Sequence, residues 1–142
     1  MSEANVTKII TKKENMKLGS MANPEFMTAL SKLSNMNIEA KTGYWVGKSL
    51  TKIKSHLKDY DETRVTALKK YCELDEKKEL VVDENGGVKF KDDEAQEAFG
   101  KEIGELLLQE VEVLKVSSEA IFKDVKDPVT PAMLSSLDEL LY

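Results

Sequence analysis

Gly43-Tyr44-Trp45-Val46-Gly47-Lys48-Ser49 comes closest to a motif that carries chemistry. A phosphate-binding loop cradles its ligand with backbone N–H groups and needs four residues between its glycines. Here there are three, their side chains are large, and no strong strand precedes them. The stretch reads instead as the first turn of a helix, with Tyr44 and Trp45 as core anchors. Asp83, Asn85 and Glu94 fall at positions one, three and twelve of a calcium loop. Position five is Gly87, and position six is Val88 where that loop requires glycine. Asn85-Gly86 already has an explanation as a hairpin turn. His56 is the only histidine, and with Lys54, Ser55 and Lys58 around it reads as a solvated side chain. Cys72 has no histidine near it in sequence and reads as a half-buried small residue. No Gly-x-Ser-x-Gly nucleophile turn is present, and no carboxylate pair stands in an apolar context. These residues argue for a protein that is not an enzyme and holds no metal or cofactor.

The remaining composition narrows the function classes further. A single Cys excludes an internal disulfide framework, and 142 residues suit one domain with a modest core. No apolar run approaches the roughly 18 residues that span a bilayer, which argues against a membrane role. The net charge of −5 argues against a general nucleic-acid binder. Tyr44, Trp45 and Tyr60 near a basic helix could stack bases, but aromatics at helical spacing more commonly fill a core. Direct nucleic-acid binding is therefore not expected.

What would position any functional surface is a set of helices. Residues 1–22 read as a flexible N-terminal arm, slightly basic, with Val6, Ile9 and Ile10 as its compact apolar cluster. That cluster is a candidate partner contact that orders on binding. A single helical-hairpin domain follows over 23–142. Asn23 and Pro24 cap and open a first helix over 24–35. Over 42–75 the residues Val46, Leu50, Ile53, Leu57, Tyr60, Arg64, Ala67 and Tyr71 alternate by four and three, a coiled-coil seam. Its partner is expected over 92–110, where Asp93 and Gln96 read as a capping box and Ala95, Phe99, Ile103, Leu106 and Leu107 form a stripe. Between them, Leu80–Phe90 reads as a β-hairpin turning at Asn85-Gly86. Val111–Val116 has strand character, and Thr130 with Pro131 opens a last short helix bearing Met133, Leu134, Leu137, Leu140 and Leu141. The fold expected is mainly α: a long antiparallel helical hairpin, a small β-hairpin at its tip and a short C-terminal helix.

Charge is distributed unevenly along this plan. Residues 41–70 carry eight basic against three acidic residues, net +5, while 92–112 carry one against eight, net −7. Such blocks suggest charge-complementary packing that sets register, because exposed pairs contribute only ~0.2–1 kcal/mol each. The long seam also exceeds what a 19-residue partner helix can cover. Trp45, Tyr60 and Tyr71 are thus candidate contacts with a further protein, a second copy of the chain included.

Ile38-Glu39-Ala40-Lys41-Thr42-Gly43-Tyr44-Trp45-Val46-Gly47-Lys48 resembles the "Val-Lys-Thr-Ala-Tyr-x-x-Gly-Lys" lead-in to a long helix in a group of short proteins encoded by tailed bacteriophages and prophages. The order of elements over 24–142 is similar too. That group has no established activity, so the resemblance implies a phage source and transfers no site. The function expected is a non-enzymatic bacteriophage protein acting through protein–protein contacts with a viral or host partner, in the host cytoplasm or the virion. The alternative is an acidic nucleic-acid mimic that inhibits a host DNA-binding enzyme.

Overall fold

A computed structural model of the protein describes residues 10–123 and 125–142. The chain forms two compact units. One comprises the residues up to Leu57 with Glu110–Tyr142, and the other comprises Lys58–Gln109.

The first unit is built on strand β1, Thr11–Lys17, paired antiparallel with β2, Glu110–Val116, in the register Glu14 to Val113. Residues 11–22 are therefore not an arm: after β1 comes a short helix α1, Leu18–Met21, with Leu18 and Met21 buried. Ile10 is buried beside β1, and its carbonyl accepts a hydrogen bond from Ser117 N–H at 2.8 Å. Val6 and Ile9 lie outside the described residues. Asn23 caps helix α2, Pro24–Ser34, by accepting from Glu25 N–H, and Phe26, Ala29, Leu30 and Leu33 turn inward. The chain then enters helix α3, Ala40–Tyr71, 32 residues and roughly 48 Å long. After β2, Ser117 caps the five-residue helix α5, Ser118–Phe122, which sequence patterning did not indicate. Thr130 caps the last helix α6, Pro131–Ser136, which docks on α2 with Met133, Leu137 and Leu140 buried. Helix α4, Asp93–Leu107, belongs to the second unit.

Polar groups fix the phase of α3 in this unit. Thr42, Val46, Ser49 and Ile53 are buried, a spacing of four, three and four. Val46 and Ile53 of the expected seam are buried, but Ser49 takes the place of Leu50, and Leu50 and Leu57 are only half-buried. The cause is β2. Bonding of Ser117 to Ile10 places 12/115, 14/113 and 16/111 as the hydrogen-bonded pairs of the ladder. The backbone of Glu112, Leu114 and Val116 then points away from β1. Ser49 Oγ donates to the Leu114 carbonyl at 2.6 Å, and His56 Nε2 lies 2.8 Å from the Glu112 carbonyl. A carbonyl only accepts, so Nε2 carries the proton. Val116 bonds to Leu140 and Tyr142. His56, expected in solvent, thus closes this edge together with Ser49 and the C-terminal residues.

The second unit holds Lys58–Tyr71 of α3 and helix α4, Asp93–Leu107. Asp92, rather than Asp93, is the N-cap of α4 and accepts from Ala95 N–H at 2.7 Å. Three short segments join the helices through single antiparallel bridges, Cys72 with Phe90, Leu74 with Leu80 and Val82 with Val88. Glu73 N–H donates to Lys89, Lys89 to Val81, and Val81 back to Glu73, a closed ring of three hydrogen bonds. The expected single β-hairpin is thus one side of a three-sided junction. Its corners are two aspartate turns. Asp83 Oδ1 accepts from Asn85 and Gly87, with Gly86 at φ +82°, and Asp75 Oδ1 accepts from Lys77 and Glu79, with Lys78 at φ 63°.

The fold is mainly helical with one long helix and a two-stranded sheet, but it is not clearly the hairpin of two long helices expected from the seam. Helix α4 has 15 residues and buries none of them, and among the described residues a single ion pair, Lys70 to Glu102 at 3.3 Å, joins the basic and acidic helices. The inward stripe of α3 over Thr42–Ile53 is already occupied within the first unit.

Candidate contact surfaces

The residues singled out in the sequence do not converge. Trp45 is half-buried in the first unit and meets the ring of Tyr44 edge-on, 5.2 Å between centroids. Tyr44 itself is 57% exposed, with Lys48 Nζ 5.4 Å from its centroid, so it is no core anchor. Tyr60 and Tyr71 are half-buried in the second unit, eleven residues apart and hence on one side of α3. Lys70 Nζ sits 4.9 Å from the Tyr71 ring. Its bond to Tyr71 and then its pairing with Glu102 hold that ammonium above the usual lysine range.

The second unit is thin inside. Among its described residues, Leu68 and Cys72 are the buried ones. Phe90 and Phe99 touch at 5.5 Å, yet both remain half-exposed, as do Ile103, Leu106 and Leu107. Leu74, Val82 and Leu108 are exposed, Leu108 to 64%. Sequence patterning found the stripe on α4 but assigned it to a core. Burial pushes the Cys72 thiol up, which lowers its thiolate fraction and its reactivity.

Asp83, offered by its spacing to a calcium ion, is engaged in turning the chain. Among the described residues no group of three histidine, cysteine or carboxylate side chains is placed to hold a metal. Among the described residues no helix is long and apolar enough to cross a membrane.

Charge on the first unit gathers at the ribbon. Glu14 accepts from Lys12 and from Lys115, each at 2.9 Å, and these bonds hold its carboxyl below the usual range. Lys52, 2.6 Å away, does the same for Glu112. Both pKa values are lower folded than unfolded, so each contribution is present above the ordinary carboxylate range and is lost as pH falls through the folded value. Acidification from pH 6 to about pH 3 is therefore expected to lower the thermal midpoint of the wild type. The drop should shrink in Glu14→Gln with Glu112→Gln. An equal drop in that double variant would remove these two carboxylates as the cause.

Compared with protein families, with curated proteins and with solved structures, the chain has no match.

Proposed function

We propose that this chain is a non-enzymatic bacteriophage protein that acts through protein–protein contacts, as a virion component or as the binder of a host factor. The observation that carries the contact reading is helix α4. An amphipathic helix whose Phe99, Ile103, Leu106 and Leu107 all stay half-exposed leaves apolar area in water at roughly 25 cal/mol per Å². Contiguous apolar surface with a charged rim marks an interaction site. Support for the phage source comes from the resemblance of Ile38–Lys48 and the order of elements. The test is affinity capture by the tagged full-length chain from phage-infected cells, with virion proteomics alongside. A partner held by wild type and lost with Ile103→Glu is the expected result. A partner retained equally by that variant, or capture indistinguishable from the tag alone, would overturn the contact reading. Light scattering of the free protein identifies a second copy as occupant when the mass doubles with concentration and Ile103→Glu abolishes the doubling.

One observation favours the nucleic-acid-mimic reading as the second choice. The expected neutralisation of α4 by the basic helix is limited to Glu102. Asp93, Glu94, Glu97 and Glu105 have no ion pair among the described residues. On that reading Glu97→Gln with Glu105→Gln, not Ile103→Glu, releases the partner, and so does added salt.

A further inference from the structure

Strand β1 has two edges, and only one is used by β2. Pairing runs through Lys12, Glu14 and Met16, so the N–H and C=O groups of Lys13, Asn15 and Lys17 point the other way. Lys17 is the N-cap of α1, so its carbonyl is taken into the first helical turn. The backbone groups of Lys13 and Asn15 bond to nothing among the described residues, and all three residues are exposed. The opposite edge of the ribbon is closed by Ser49, His56 and the C-terminal residues. Among the described residues, one edge of the ribbon is thus sealed and the other is open at Lys13 and Asn15.

We infer that the open edge of β1 takes an extended acidic segment of a partner protein as a third, antiparallel strand. The charges select this occupant. Lys13 and Lys17 project from one face with Asn15 between them, and neither lysine has an ion pair among the described residues. Glu110 stands opposite Lys17 in the ladder without pairing to it. A second copy pairing two-fold about Asn15 would set Lys13 against Lys17 twice, and like charges directly opposed destabilise a ladder. Lysines on an edge block self-association in this way. A carboxylate at the same two positions, four residues apart in the added strand, turns both contacts favourable. Main-chain bonds then supply affinity and the two acids supply choice. This surface belongs to the first unit and does not depend on the stripe of α4.

The experiment uses the full chain and a labelled, end-blocked synthetic peptide alternating glutamate and valine, read by fluorescence anisotropy. Saturable binding that weakens with salt is expected. Asn15→Pro should abolish it while keeping the circular dichroism of the wild type, because the N–H it removes faces away from β2. Lys13→Glu with Lys17→Glu should weaken binding by about tenfold or more and transfer it to a lysine–valine peptide. If Asn15→Pro fails to fold, N-methylating alternate amides of the peptide removes the same ladder bonds, and binding should be lost. Binding that survives both Asn15→Pro and peptide methylation would overturn the inference, as would the absence of saturable binding. A dimer of the free protein that Asn15→Pro abolishes would also overturn it, because the occupant would then be a second copy.

Discussion

Ile53→Ala lowers the unfolding free energy of the first unit by about 2–5 kcal/mol. Ile53 is fully buried on the stripe that α3 turns toward β2, and truncation leaves a void that Ser49 and His56 prevent the helix from closing. Those two side chains hold α3 to two carbonyls of one strand. Rotation to refill the cavity would break both bonds, each worth about 0.5–1.5 kcal/mol. Leu57→Ala is the internal control. Leu57 is half-exposed, so its truncation costs less, below about 2 kcal/mol. Chemical denaturation of both variants checks the order. A larger loss at Leu57 than at Ile53 would restore the seam that runs through Leu50 and Leu57.

Glu14→Pro destabilises the first unit by about 3 kcal/mol beyond Glu14→Ala. The N–H of Glu14 points into the ladder at Val113, and proline both removes that donor and leaves the buried partner residue's carbonyl unmet. The alanine variant removes the bonds to Lys12 and Lys115 and so isolates the backbone part. Paired denaturation curves provide the measurement. Equal stability of the two variants would mean that residues 11–17 contribute no strand, as the flexible-arm reading supposed.

That misreading has a physical cause. Thr11-Lys12-Lys13-Glu14-Asn15-Met16-Lys17 shows no alternation, because burial changes face along the ribbon. Thr11 is buried on the face it shares with Val116, and Met16 on the face it shares with Val113. A twisted two-stranded ribbon can be covered on one side at one end and on the other at the other, which erases a period of two. Cap chemistry was legible because it is local: Asn23 with Pro24, and Thr130 with Pro131, mark helix starts without reference to anything distant. The long helix was legible from its unbroken repeat. Its phase was not, since Ser49 and His56 look like solvent-facing residues until the carbonyls of β2 are in place. The same holds for the candidate surfaces. Phe99 and Ile103 were visible as a stripe, but a stripe does not say whether anything lies against it. Asp75 was missed although Asp before Glu-Lys-Lys is a turn signal of the same kind as Asp83-Glu-Asn-Gly.

The ring formed by Glu73, Val81 and Lys89 has a consequence for how this part of the chain melts. A ladder frays from its ends, one rung at a time. A cycle has no end: each of its three members gives one bond and receives one, so withdrawing any member breaks two of the three at once. Amide exchange at these positions should therefore proceed as one event with one rate, whatever the neighbouring turns do. A junction of this kind keeps its geometry through connectivity, where a unit whose buried residues, among those described, are Leu68 and Cys72 has little core to hold it.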